Sequence, residues 1–462
     1  MMKRTSYLLA ALAFSAGLAW ACNKPGTDPI DDDPVDPVDL VDLETSVPVT
    51  ENWVFTDKPN LTIHVENPNE VKVKAEAFVR ISTDLKQVVT TVELSQDVPA
   101  KGSADIAVTT KDKLAPGFYK AACFVNNKMA RQFVFGINPT EIVSAPDKQA
   151  DFDKFWEDAK NQLEAIELKA ELTEIEKKST AKCKVYLVEF PSVPDGLTGD
   201  PVTVRGYYLE PQDGQPHPVI MHFYGYDSRG TFVTCPGANG GDYAEFYLSH
   251  RGQYINRAPA DKRGDGIARD FTDNYGDWFA FNFGNKDGYY YRGAFMDCVQ
   301  AVRFMATRAT SDMNNLFAEG SSQGGALTYA AAALSDYPFS AISPCVAFLG
   351  DYPDYFKIVD WPANTARAGW EKYVKDHSGL TDEDMYKFLS YFDTKNLATR
   401  ITCPVIASVN LQDSTCPPHT NIAPYNNLAS TEKEVYFYPE LQHVIPSNWP
   451  SKTSAFFKAH IK

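Results

Sequence analysis

The run Leu316-Phe317-Ala318-Glu319-Gly320-Ser321-Ser322-Gln323-Gly324-Gly325 constrains this chain more than any other stretch. A short apolar strand leads into a G-x-S-x-G turn, and the small, helix-forming residues from Ala326 to Ala333 follow. A strand, a tight turn and a helix in that order force the central serine into a strained backbone. Glycines at 320 and 324 permit this by removing side chains that would clash. The Ser322 hydroxyl then stands at a helix N-terminus, and the backbone N–H of Gln323 points to where an oxyanion would form. A bare G-x-S-x-G recurs by chance, so it is the surrounding strand and helix that make Ser322 a candidate nucleophile.

With 462 residues the chain exceeds one ordinary domain. Residues 1–21 read as an export signal: Lys3 and Arg4 supply the positive end, and Tyr7 to Leu18 an apolar run too short for a permanent membrane helix. Ala19-Trp20-Ala21 before Cys22 resembles a bacterial lipobox, so Cys22 is the expected lipidation site and lipid anchor. This places the chain in the bacterial cell envelope, on the periplasmic side or the outer-membrane surface. Residues 22–44, rich in Pro and Asp, read as a solvated acidic tether. Over 45–138, short alternating segments such as Asn60 to Val65, Val71 to Val79 and Gly117 to Val125 are separated by turn residues. They predict a small all-β, immunoglobulin-like sandwich that serves as spacer, packing partner or weak sugar-binding unit.

From 139 to 462 strands and helices alternate. An amphipathic helix is expected from Phe152 to about Glu167, and Lys184 to Phe190 and Val202 to Leu209 read as the antiparallel start of a sheet. Pro218 to Tyr224 is apolar enough for a central parallel strand, and Gly252 to Asn256 reads as a further strand. Later strands are expected at Ile342 to Leu349, Pro404 to Val409 and Glu434 to Tyr438, with an aromatic-rich helical insertion over 351–400. The pattern predicts an α/β class, with a doubly wound, mostly parallel sheet. A net charge of -16 argues against nucleic acid as partner. None of the 8 cysteines forms a C-x-x-C pair, so buried free thiols are expected and neither a metal nor a cofactor is implied.

A serine hydroxyl needs a base, and the base needs a carboxylate to fix its tautomer. In the α/β-hydrolase arrangement the order is Ser, then acid, then His, each on a loop after a strand. Asp413 follows the strand ending at Val409, and His443 follows the strand ending at Tyr438. His377 precedes that acid, His419 shares its loop, and His460 lies in the terminal helix. The second oxyanion donor is expected from the loop after the early central strand, at the backbone N–H of Tyr226.

Several separated motifs together resemble the acetyl xylan esterase and cephalosporin-C deacetylase family, carbohydrate esterase family seven, over about residues 147–462. They are Asp151-Phe152-Asp153 with Phe155-Trp156, Arg251-Gly252-Gln253, Tyr290-Tyr291-Arg292-Gly293 with Asp297, the G-x-S-Q-G-G elbow at 320–325, and Asp413 with Cys416-Pro417-Pro418. The resemblance implies Ser322 as nucleophile, Asp413 as orienting acid, His443 as base, and Tyr226 and Gln323 as backbone oxyanion donors. It also implies a bracing role for Arg251, and compact oligomers, which an N-terminal sandwich could obstruct. Two departures stand out: Val444 follows His443 where the family has Glu, and the H-G-Y turn is here His222-Phe-Tyr-Gly-Tyr226. The expected function is removal of O-acetyl groups from acetylated xylan and related sugars. The alternatives are a peptidase or general carboxylesterase on the same fold, or a non-catalytic glycan-binding lipoprotein.

Overall fold

The computed structural model describes residues 40–196, 199–226, 232–255 and 277–462. The export signal, Cys22 and all but the end of the tether lie outside the described residues. Residues 43–462 form one compact unit. Among the described residues, no helix is long and apolar enough to cross a membrane.

The N-terminal part is a sandwich of a three-stranded and a five-stranded sheet. Its strands follow the expected alternation. In Leu61–Glu66 the residues Leu61, Ile63 and Val65 are buried and those between them are not. Residues Ala75, Ala77, Val79 and Ile81 of Val73–Thr83 do the same from the larger sheet, and both sets join one apolar core. Burial of every second side chain fixes the register, because a slip by one residue would expose the whole set.

The remainder is built on a nine-stranded sheet. Its spatial order is Lys433–Tyr438, Val405–Asn410, Ala341–Cys345, Ser311–Ser321, His217–Phe223, Ala244–Ser249, Pro201–Pro211, Cys183–Pro194 and Glu171–Glu174. The first six run parallel, and the last three are joined on by antiparallel pairing. Helices Phe152–Glu164, Tyr290–Ala306 and Gln323–Leu334 bury apolar faces in the core that the sheet shares with the sandwich. Four helices, Tyr352–Ile358, Asp360–Asp376, Asp382–Leu389 and Thr394–Ala398, fill the aromatic-rich insertion.

One expected strand is misplaced. Residues Tyr254–Ile255 pair with Phe232–Val233 in a separate two-stranded ribbon. The strand that enters the main sheet in this stretch is Ala244–Ser249, next to His217–Phe223. Ala244, Phe246 and Leu248 are its apolar side. Its polar residues Glu245 and Tyr247 both face the half-buried His222: Glu245 Oε2 lies 2.9 Å from His222 Nε2, and the Tyr247 ring stacks on His222 at 4.1 Å. Tyr289, Tyr290 and Trp370 are buried packing residues. The Trp361 side chain lies outside the described residues. The cysteines at 123, 183, 235, 298, 345, 403 and 416 are free thiols.

Arg251 ties the sheet to the helix Tyr290–Ala306. Its side chain is 2 % exposed and that of Asp297 is 0 % exposed, so the charges must satisfy each other. Nε donates to Asp297 Oδ2 at 2.9 Å, Nη2 to Oδ1 at 2.7 Å, and the Arg251 backbone N–H to Oδ2 at 3.0 Å. Ser192 Oγ donates to Oδ1 at 2.6 Å, and Nη2 also reaches the Val193 carbonyl at 2.9 Å. Gly293 leaves the room, since a Cβ there would sit 2.1 Å from Arg251 Nη1. Asp297→Ala strands a buried guanidinium, and we expect it to cost about 3–5 kcal/mol of stability. Urea denaturation of wild type and variant measures this; a loss below about 1 kcal/mol would show that the pair is not what holds this corner.

Candidate active site

The strand Ser311–Ser321 and the helix Gln323–Leu334 meet at Ser322, whose φ of 59° and ψ of -123° form the sharp turn between them. The turn is packed backbone on backbone. A Cβ at Gly320 would lie 2.3 Å from the Gly324 carbonyl oxygen, and one at Gly324 would lie 2.2 Å from that of Phe223. Phe223 ends the neighbouring strand, so the same crowding brings Tyr224-Gly225-Tyr226 against the elbow. A Cβ on Gly225 would be 3.8 Å from that of Ser322.

Asp413 and His443 come to this point from loops after the strands Val405–Asn410 and Lys433–Tyr438. His443 Nδ1 lies 2.7 Å from Asp413 Oδ2, and His443 Nε2 lies 3.0 Å from Ser322 Oγ. The carboxylate can only accept, so Nδ1 carries the proton and Nε2 presents its lone pair to the serine. The Asp413 side chain is fully buried and that of His443 is 29 % exposed. Asp413 Oδ1 is held separately by the backbone N–H groups of Thr415 and Cys416, at 2.8 Å each.

Other residues that the sequence reading did not single out hold these groups in place. Asn410 Nδ2 donates to the carbonyls of Gln442 and Val444, on either side of His443, at 2.7 Å each. This clamp supports the histidine loop where Val444 departs from the family pattern. Gln323, 0 % exposed, has its side chain fixed by Tyr291 Oη, donating to Oε1 at 2.8 Å, and by His250 Nε2, accepting from Nε2 at 2.8 Å. Burial pushes His250 down to about 4, so it is a neutral acceptor. Its ring packs edge-on to Trp278, as does the ring of Tyr226, both at 5.1 Å. One aromatic cluster therefore backs both loops that carry the expected oxyanion donors.

Among the described residues, two groups of side chains bring ligand atoms within 4.8 Å of one another, Asp413 with Cys416 and His443, and Asp351 with Asp354 and His419. Neither has donors to spare for a metal. Both His443 nitrogens are engaged, and burial holds the Cys416 thiol well above its ordinary range, hence protonated. In the second group Asp351 pairs with Lys395, Asp354 with Lys357, and His419 with two carboxylates.

The family model for acetyl xylan esterases (AXE1) matches residues 140–461. The chain belongs to the acetyl xylan esterase family. It is 24 % identical over 368 residues, 78 % of each chain, to an acetyl esterase of Xylanibacter ruminicola. The acetyl xylan esterase from Paenibacillus sp. R4 matches with a TM-score of 0.59 at 26 % identity, over 70 % of this chain and 98 % of that one. Acetyl xylan esterase 1 from Thermoanaerobacterium sp. JW/SL YS485 shares the fold, with a TM-score of 0.57 at 23 % identity over 70 % and 98 % of the two chains. This protein is accordingly an α/β carboxylic ester hydrolase of the carbohydrate esterase kind.

The family match begins after the sandwich, yet in this acetyl xylan esterase family member the sandwich grips the loops of the site. Gln412, next to Asp413, pairs with both backbone groups of Val134: Oε1 accepts from its N–H at 2.9 Å and Nε2 donates to its carbonyl at 3.0 Å. Arg131 Nη2 donates to Glu440 Oε1 at 2.8 Å, and Asp84 Oδ2 lies 2.6 Å from His419 Nδ1. Burial opposes a charge on His419, but hydrogen bonds to Asp354 and Asp84 outweigh it and raise its pKa from 6.5 to about 10. A raised folded-state pKa contributes stability in full below about 6.5 and loses it as the pH climbs through about 10. Thermal unfolding of wild type and His419→Gln should therefore differ most near pH 6, with the gap shrinking steadily toward pH 10. A gap that is flat or widens with pH would mean that His419 is not held as a cation.

Proposed function

We propose that this esterase removes O-acetyl groups from acetylated xylan or xylo-oligosaccharides and related acetylated sugars through an acetyl-enzyme. The observation that carries the reading is the hydrogen-bonded line from Ser322 Oγ through His443 to Asp413, in a chain of this family. Ser322 Oγ attacks the acetyl carbonyl as His443 Nε2 takes its proton, and Asp413 stabilises the imidazolium that results. The tetrahedral oxyanion is received by the backbone N–H groups of Tyr226 and Gln323, the second lying at the helix N-terminus where the dipole favours negative charge. The imidazolium then protonates the sugar oxygen, which leaves. Water, deprotonated by His443, attacks the acetyl-enzyme and releases acetate.

Ser322→Ala should abolish acetate release from acetylated xylan. Asp413→Asn, which leaves His443 the wrong tautomer, should fold normally and lose about four orders of magnitude in kcat. Acetate assay with circular dichroism checks both. Near-wild-type turnover in Asp413→Asn would identify another acid, and turnover of peptide amides without acetate release would replace the substrate class.

The N-terminal residues extend the reading to location. We propose that the chain is exported and held at the bacterial cell envelope by a lipid on Cys22, with the acidic tether as spacer. Support comes from the positive end, the short apolar run and the small residue before Cys22. Expression in a bacterial host with a radiolabelled fatty acid should label wild type and not Cys22→Ala; equal labelling, or none, refutes it.

A further inference from the structure

A cleft of about 580 Å³ separates the five-stranded sheet of the sandwich from the loop that carries Asp413. One wall is Leu411 to Ser414 with Pro417 and Pro418; the other is the outer face of the sheet. Register sets what that face presents. Arg80 pairs with Ala122 and Ser82 with Lys120 on the adjacent strand, so Arg80 and Lys120 are diagonal neighbours on one face. Lys86, in the turn after the Arg80 strand, joins them along the cleft. All three are exposed.

The charge balance of this cleft runs against that of the protein. The chain carries a net -16, yet the cleft's two acidic residues are already engaged: Asp84 with His419, and Asp413 with His443. Arg80, Lys86 and Lys120, by contrast, form no ion pair among the described residues. Three uncommitted cations on one wall, with Pro417, Pro418 and Val88 giving apolar surface, suit a ligand that is both sugar-like and anionic. The cleft is also close to the chemistry. The loop that carries Asp413 lines it, and the buried Asp413 carboxylate is linked through the His443 ring to Ser322 Oγ.

Resting on the reading of Ser322 as the centre of a glycan deacetylase, we propose that this cleft is a substrate subsite that holds negatively charged substituents of the acetylated glycan. Arg80 and Lys120 are its principal contacts. The guanidinium fork of Arg80 matches the paired oxygens of a uronate carboxylate or a sulfate ester, and Lys120 adds a point charge beside it. The acetyl xylan esterase match starts at residue 140, so the cationic wall belongs to the part of the chain outside it.

Binding to the full chain bearing Ser322→Ala tests the subsite without turnover. Calorimetry would compare three xylo-oligosaccharides of equal length: neutral, glucuronate-bearing and sulfated. We expect at least one anionic ligand to bind about tenfold or more tighter than the neutral one, and the preferred one names the anion. That advantage should shrink with added KCl. Adding Arg80→Gln with Lys120→Gln should remove it and leave neutral-ligand affinity within about twofold, and Arg80→Lys with Lys120→Arg should largely restore it. Equal affinity for all three ligands, or an advantage that survives the double neutralisation, would overturn the subsite. Failure of the deacetylase reading shows instead in the acetate assay of the unmutated enzyme, which does not depend on this comparison.

Discussion

The site depends on a contact with no side chain in it. At the elbow, the carbonyls of Phe223 and Gly324 lie where Cβ atoms of residues 324 and 320 would otherwise be. That approach is possible only for glycine, and it does two things at once. It holds Ser322 at positive φ, so its hydroxyl leaves the sheet, and it presses the end of the neighbouring strand against the turn. The proposed nucleophile and the loop expected to stabilise its oxyanion are thus positioned by one close packing of backbone. The strain at Ser322 is sustained by what surrounds it: the Ser322 N–H donates to the Cys345 carbonyl at 3.0 Å, and its own carbonyl accepts from Phe348 N–H at 3.0 Å.

Asp413 and His443, the proposed acid and base, are held by a different means. Neither loop has regular structure, so amide side chains take the place of a sheet ladder. Asn410 clamps the backbone on both sides of His443. Gln412 joins the acid loop to Val134 of the sandwich and to the Pro439 carbonyl, at 2.6 Å, in the histidine loop. Tyr355 of the helical insertion donates to the Thr415 carbonyl at 2.7 Å. The sandwich, which contributes nothing to the triad, is thereby part of what holds Asp413 and His443 in register. Of the three roles that sequence leaves open for this domain, spacer, packing partner or weak sugar-binding unit, the contacts fit the packing partner: it is built into the frame of the site.

Much of this was legible in the sequence wherever a pattern is local. The sandwich strands alternate with period two, the helix Gln323–Leu334 begins and ends where its small and apolar residues do, and the G-x-S-x-G turn, together with the order of loops after later strands, names Ser322, Asp413 and His443 as the residues to look for. Illegible parts share one cause: their partners are distant in sequence. The strand Ala244–Ser249 carries Glu245 and Tyr247 on one side, and nothing nearby in sequence shows that His222 awaits them across the sheet. Gln412, Asn410 and His250 look like ordinary polar residues until their partners, up to 278 positions away, are known. His250 alone carried a faint signal, directly before the Arg251-Gly252-Gln253 motif.

Four histidines show how surroundings decide what one side chain does. His222 lies between Glu245 and Glu319; burial opposes its charge, but the two carboxylates overcome that and raise it to about 9. His419, between Asp84 and Asp354, is raised further, and both act as fixed cations. His250 has no carboxylate bonded to it, is driven neutral by burial and serves as an acceptor. None of the three can shuttle a proton with a substrate: two hold theirs too tightly, and the third spends its Nε2 lone pair on Gln323. A base for Ser322 needs one carboxylate to fix the tautomer and a hydroxyl, not a second carboxylate, on the other nitrogen. Among these four only His443 has that pairing, and its side chain is also the more exposed, 29 % against 15 % for His222 and 13 % for His419.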